Sequence, residues 1–238
     1  QRGRSSSGWD GFPRHLNLEF TWLGSAPIGE GASRRYRINA DPVAAQGQVF
    51  TLDAQALVTA TSSDGQTQWT YDLTPARDDV GDANGGGLAF GENKLFVTSG
   101  YGTLTALDPK TGELVWYYQT TPAENWDYTA TQHMILTELN IKGASRKVLI
   151  QAPKNGFFYV LDRATGELLS AEKLGPINWA SHVDMQTGRP VETGDGEWSK
   201  STSFVMPGPP GVHNWHPMSF NPQTGLVYIP TLENVWAY

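Results

Sequence analysis

One pattern recurs along this chain, and its spacing constrains the fold more than any other feature. It reads Val58-Thr59-Ala60-Thr61-Ser62-Ser63-Asp64-Gly65-Gln66-Thr67-Gln68-Trp69 in the first copy. The second is Leu104-Thr105-Ala106-Leu107-Asp108-Pro109-Lys110-Thr111-Gly112-Glu113-Leu114-Val115-Trp116. The third, Tyr159-Val160-Leu161-Asp162-Arg163-Ala164-Thr165-Gly166-Glu167-Leu168-Leu169-Ser170, has Ser170 where the others carry tryptophan. Ala60 and Ala106 are 46 residues apart, and Asp108 and Asp162 are 54 apart. Such periods suit a four-stranded blade per copy. The apolar residues before the aspartate predict a strand. Asp-x-x-Thr-Gly predicts a tight turn, with glycine where φ must be positive and Asp or Thr bonding the local backbone. Glu-Leu-Val-Trp predicts an outer strand whose indole packs between neighbouring blades and needs a partner for its N–H.

The expected fold is an all-β propeller of four-stranded antiparallel blades, about four in number, in a small or partial ring. Residues 1–238 read as a single domain. Blades are expected at 38–73, 83–120 and 128–175. Gln48 to Leu52, Lys94 to Ser99 and Lys147 to Gln151 read as the strand before each motif, and Gly86 to Phe90 and Thr131 to Leu136 as inner strands. Residues 176–210, punctuated by Pro, Gly and Ser, read as a long loop with a short hairpin around Val183-Asp184-Met185-Gln186-Thr187-Gly188. An incomplete blade occupies 211–238. Residues 1–24 read as an N-terminal arm, in which Leu16 to Trp22 offers a strand to close the ring.

Composition narrows the function classes. A formal net charge of -7 without a basic stripe argues against nucleic acid. With no cysteine there is no disulfide framework, thiolate metal site or cysteine nucleophile. No apolar run is long enough to span a membrane, and no signal peptide opens the sequence.

Chemistry-bearing residues gather in three segments of the second half: Asn125-Trp126-Asp127-Tyr128, Pro153-Lys154-Asn155-Gly156 and His213-Asn214-Trp215-His216-Pro217. Taken singly, Asp127 also reads as a turn-capping carboxylate and Lys154 as an ordinary hairpin tip. His213 and His216, three apart on an extended strand, would face opposite sides, which argues against a two-histidine metal site. Trp179 and Trp198 read as loop packing.

From about 114 to 238, these segments with Gln151-Ala152-Pro153-Lys154-Asn155-Gly156, Asn178-Trp179-Ala180-Ser181 and His213 to Phe220 resemble the pyrroloquinoline-quinone (PQQ) alcohol dehydrogenases. Residues about 30–113 resemble instead the BamB-type propeller, a protein-binding scaffold of outer-membrane assembly. The residues concerned are Arg34-Arg35-Tyr36-Arg37, Ala40-Asp41-Pro42-Val43, Val49 to Ala54 and Gly85 to Phe90. The chain therefore reads as a mosaic with its seam near 104–116.

The dehydrogenase resemblance implies PQQ and Ca²⁺ as cofactors, a small alcohol as substrate and a periplasmic location. It implies that Asp127 is the general base and a Ca²⁺ ligand, that Lys154 polarises the quinone oxygens, and that Asn214 and Trp215 contact the cofactor. The same resemblance calls for a glutamate and an asparagine from earlier blades, for which Glu92 and Asn84 are candidates by type alone. It also calls for a vicinal cysteine pair that this sequence lacks. The site is thus expected to be incomplete. Three functions follow: a quinone-linked alcohol dehydrogenase, a BamB-like scaffold with a protein partner, or an inactive propeller that self-associates to complete its ring.

Overall fold

The computed structural model of the chain describes residues 25–34, 37–38, 40–74, 85–123 and 125–238. Leu16 to Trp22, the rest of the 1–24 arm, and Asn84 lie outside these residues. Among the described residues there is no helix.

Three antiparallel four-stranded sheets follow one another, each in simple sequential order. The first holds β1 (Val43–Ala45), β2 (Gln48–Leu52), β3 (Leu57–Ser62) and β4 (Thr67–Asp72). The second holds β5 (Gly86–Gly91), β6 (Lys94–Ser99), β7 (Thr103–Leu107) and β8 (Leu114–Gln119). The third holds β9 (Met134–Ile141), β10 (Ala144–Gln151), β11 (Phe157–Asp162) and β12 (Leu168–Lys173). The first strands line up from sheet to sheet, β5 packing beside β1 and β2 on one side and β9 on the other. This is the arrangement of a partial β-propeller. The middle strands are buried almost continuously because each blade is covered on both faces, whereas β4 alternates exposed with half-buried residues.

Local chemistry explains the repeat. The first two strands of each blade join through two-residue loops whose central residues all have positive φ: Gln46-Gly47, Glu92-Asn93 and Lys142-Gly143. Loops of that hand match the strand twist. In the repeated motif, Asp108 Oδ1 accepts from the N–H groups of Lys110 and Thr111, and Asp162 Oδ1 accepts from those of Ala164 and Thr165. A bulge recurs just before each turn, at Ala60/Thr61, Ala106/Leu107 and Val160/Leu161. It brings Trp69 opposite Ala60, Trp116 opposite Ala106 and Ser170 opposite Val160.

The indoles do what the sequence requires of them. Trp69 Nε1 donates to Pro109 O at 2.9 Å and Trp116 Nε1 to Arg163 O at 3.2 Å, so each seats on the turn of the next blade. An added Cβ would stand 2.7 Å from the Trp69 ring at Gly112 and 2.8 Å from the Trp116 ring at Gly166. Only glycine admits that approach at these φ values.

Past the third blade, β13 (Ala180–Val183) and β14 (Pro190–Glu192) form the short hairpin around Asp184 to Gly188. Tyr118 reaches it, donating to Gly188 O at 2.6 Å. β15 (Phe204–Val205) pairs with β18 (Trp236–Ala237), and β16 (Ser219–Asn221) with β17 (Leu226–Tyr228). The final strand thus turns back to the 176–210 segment instead of continuing the β16–β17 hairpin.

Candidate functional site

Asp127 sits between two anchors. Trp126 and Tyr128 are buried against Trp179, their ring centroids 5.2 and 5.6 Å from it. Trp126 Nε1 donates to Gly196 O at 2.8 Å, and the Tyr128 hydroxyl donates to Pro207 O. With its neighbours fixed inward, Asp127 adopts a φ of 66°, uncommon for a residue with a Cβ, and its side chain is 64% exposed. Backbone strain of this sort, held by packing on either side, gathers at functional sites.

Lys154 approaches from the β10–β11 turn. Its side chain is only 8% exposed, and Nζ stands 3.1 Å from both Asp127 O and Asp127 Oδ2. The positive φ of Asp127 presents carbonyl and carboxylate to one ammonium. Lys154 N donates to Thr129 O at 3.4 Å, tying the two loops by backbone as well. The adjacent Asn155, fully buried, holds the turn: Oδ1 accepts from Phe157 N at 3.1 Å, and Nδ2 donates to Thr121 Oγ1 at 3.1 Å and Tyr159 Oη at 2.8 Å. Trp179 Nε1 in turn donates to Asn155 O at 2.9 Å.

The third segment packs beneath this pair. Val212 N donates to Lys154 O at 3.2 Å. His213 is fully buried, one ring nitrogen facing Ala152 O and the other His216 O at 2.8 Å, so it is a strut between segments. Asn214 Nδ2 donates to Pro210 O at 2.8 Å, while its Oδ1 is buried without a hydrogen-bond partner. Trp215 is 77% exposed, its ring turned to solvent. Asp127 and Lys154 therefore meet directly, whereas Asn214 and Trp215 lie two and three residues along the chain from the Val212 N–Lys154 O bond.

Glu92 is elsewhere. It occupies the β5–β6 turn, where its carboxylate pairs with Lys147 at 2.8 Å and Arg163 at 3.4 Å across the blade seam. Hydrogen bonding from Lys147 holds its pKa below the usual glutamate value. Among the described residues no three Asp, Glu or His side chains converge. Calcium takes about six to eight oxygens, so the described residues around Asp127, with a single carboxylate, do not by themselves fit that ion. The Asp127–Lys154 pair does offer a fixed cation and an exposed carboxylate to one edge of a planar polar acceptor, and Asn214 in the neighbouring segment carries a buried orphan acceptor.

Two contributors took no role from the sequence. Asn155 carried a signal, since Asn-Gly at a hairpin tip bonds the nearby backbone. Gly211, which touches Lys154, carried none beyond its place in a Pro-Gly-Pro-Pro-Gly run.

Residues 86–174, the second and third blades, match the family described as PQQ glucose/ethanol/alcohol dehydrogenase, β-propeller domain. The propeller resembles the PQQ-dependent alcohol dehydrogenases in sequence as well as in fold. Quinohemoprotein alcohol dehydrogenase ADH IIB of Pseudomonas putida is 56% identical over 143 residues, which are 60% of this chain and 20% of the relative. The quinohemoprotein alcohol dehydrogenase of Comamonas testosteroni is 46% identical over 180 residues, 72% of this chain and 25% of the relative. The solved structure of ADHIIG from Pseudomonas putida HK5 superposes with a TM-score of 0.75 at 37% identity, covering 86% of this chain and 38% of that one. The chain thus spans about a fifth to a quarter of the length of these curated relatives. The 86% coverage exceeds what residues 114–238 contain, so the likeness in fold runs into the first half. No helix of the described residues is long and apolar enough to cross a membrane.

Proposed function

We propose that Asp127 and Lys154 form the proton- and charge-handling side of a quinone-linked alcohol oxidation site in the periplasm, with PQQ as the acceptor and a small alcohol as substrate. The 3.1 Å contact between Lys154 Nζ and an exposed Asp127 carboxylate, held between buried aromatics, is the observation that carries this reading. Oxidising an alcohol removes a hydride and a proton. PQQ, when bound, supplies the two-electron acceptor. Asp127 Oδ2 is engaged by Lys154, which leaves Oδ1 to take the hydroxyl proton. Lys154 holds positive charge where negative charge gathers as the acceptor is reduced. Asn214 offers its buried Oδ1 to an N–H of a bound heterocycle, and Trp215 offers a ring face. Asp127 brings a single carboxylate, and no calcium ion enters this scheme.

Titration with PQQ, followed by absorbance and by dye-linked oxidation of primary alcohols, tests the reading. The parent should develop quinone absorbance and turnover, and Asp127→Ala should keep the first while losing the second. Absence of both in the parent, in an assay that works for a known quinoprotein, rejects it.

A second reading is a face for a protein partner or another copy of the chain. Phe204, Trp215, Leu226, Tyr228 and Trp236 are large, apolar and more than half exposed within the last 35 residues. A solution mass equal to that of one chain, and unchanged on raising concentration, would dismiss self-association.

A further inference from the structure

An ammonium on a four-carbon stem has about 2 kcal/mol of rotamer freedom to lose before it can serve as a fixed charge. Something must therefore wall in the stem of Lys154. That wall is Gly211. At φ +78° its backbone lies so close that an added Cβ would stand 2.6 Å from Lys154 Cα and Cβ and 2.8 Å from Cγ. These are contacts that no relaxed side chain tolerates.

Gly211 is itself held. Its N–H donates to Gly208 O at 2.9 Å, closing a turn. Asn234 clasps the same turn from the far end of the sequence: Nδ2 donates to Gly211 O at 2.9 Å, and Oδ1 accepts from Gly208 N at 2.7 Å. Leu232 N donates to Val212 O at 2.7 Å beside it. A run of contacts therefore leads from Asn234 through Gly211 to the stem of Lys154, and from Nζ to Asp127.

The geometry points to Gly211, braced by Asn234, as the positioning element that sets where the Lys154 ammonium stands. What that ammonium does there rests on the proposed role of the Asp127–Lys154 pair. Its placement can be measured without that role.

The measurement is acetylation of lysines in the ligand-free protein, read by mass spectrometry. Lys142, exposed in the β9–β10 loop, is the internal reference. Lys147, paired with Glu92, reports general loosening. In Gly211→Ala and in Asn234→Leu, Lys154 acetylation should rise roughly tenfold against Lys142, as for a local opening confined to that turn. Lys147 should not change. Gly225→Ala, at a comparable φ of +70° but with nothing within 4 Å of the added methyl, should alter neither.

If Gly211→Ala fails to fold, Asn234→Leu decides. Lys154 labelling that is unmoved in folded Asn234→Leu overturns the proposal, as does a parallel rise at Lys147 and Lys154. Expected labelling in a parent that oxidises no alcohol leaves the positioning role standing and removes the proposed function. Turnover in a parent whose Lys154 ignores both substitutions does the reverse.

Discussion

The turns between the second and third strands of the three blades occupy the same place in the fold and are built for different ends. In the first blade, Asp53 commits both carboxylate oxygens to its own surroundings: Oδ1 accepts from Gln55 N and Leu57 N, and Oδ2 from Glu30 N, all at 2.8 Å. In the second blade the turn is a simple closure, Gly102 N to Ser99 O at 3.1 Å. In the third, Asn155 takes over the task of bonding the backbone, and the neighbouring Lys154 is released to reach Asp127. A charged head becomes available for chemistry only where another side chain satisfies the turn.

The largest effect comes from disturbing the seated indole that the first two blades have in common. Trp116→Ala removes a buried indole and its hydrogen bond to Arg163 O, and should lower unfolding free energy by about 3–5 kcal/mol in a urea titration. A loss near 1 kcal/mol would mean that the seam contributes little.

Next comes the contrast between the first and third turns. Lys154→Met should lower alcohol oxidation by on the order of 100-fold. The same variant should move stability by less than about 1 kcal/mol, because its partner carboxylate is largely exposed. Asp53→Ala should do the opposite, costing about 1.5–3 kcal/mol through three lost charge-assisted bonds and leaving turnover intact. If both variants affect the same property, the division of labour is wrong.

A smaller effect separates close approach from backbone strain. Gly166→Ala presses a methyl against the Trp116 ring and should cost about 1–3 kcal/mol, against about 1 kcal/mol for the unobstructed Gly225→Ala.

The smallest effect is in acid. Burial works to raise the pKa of Asp162, but hydrogen bonds from Ala164 N–H, Arg146 and Thr165 N–H outweigh it and hold the carboxyl below its usual 3.8. Asp184 is lowered by the N–H and hydroxyl of Thr187. A depressed folded-state pKa stabilises above the unfolded value and ceases to do so as pH falls through the folded one. Glu92, held low by Lys147, and Glu197, held low by Ser199, add to this from the usual glutamate value of 4.5. Unfolding midpoints should therefore begin to decline below about pH 5 and fall further through the aspartate range, and Asp162→Asn should flatten the lower part of that decline.

The blades were legible in the sequence because each is a local object. The strand, bulge, Asx turn and tryptophan all lie within about 13 residues, and side-chain period and turn chemistry announce them. β10 begins at Ala144, earlier than Lys147, because Ala-Ser-Arg gives no apolar period. The β15–β18 pairing was hidden for a stronger reason. Its strands have two residues each and stand some thirty apart, so no periodicity can mark them. In the site, Asp127 and Lys154 were suggested by family resemblance, and they meet across 27 residues of chain. Glu92 was chosen by residue type, which cannot tell which end of a blade a carboxylate occupies. Gly211 was invisible because a glycine's importance lies in what comes close to it.

The seating of each indole on the following turn also sets an order for the birth of the molecule. Trp69 waits for a carbonyl 40 residues downstream and Trp116 for one 47 downstream. A ribosome making this chain must deliver most of the next blade before the last large ring of the present one leaves water. The first two blades are each born unfinished, and the blade that follows completes them.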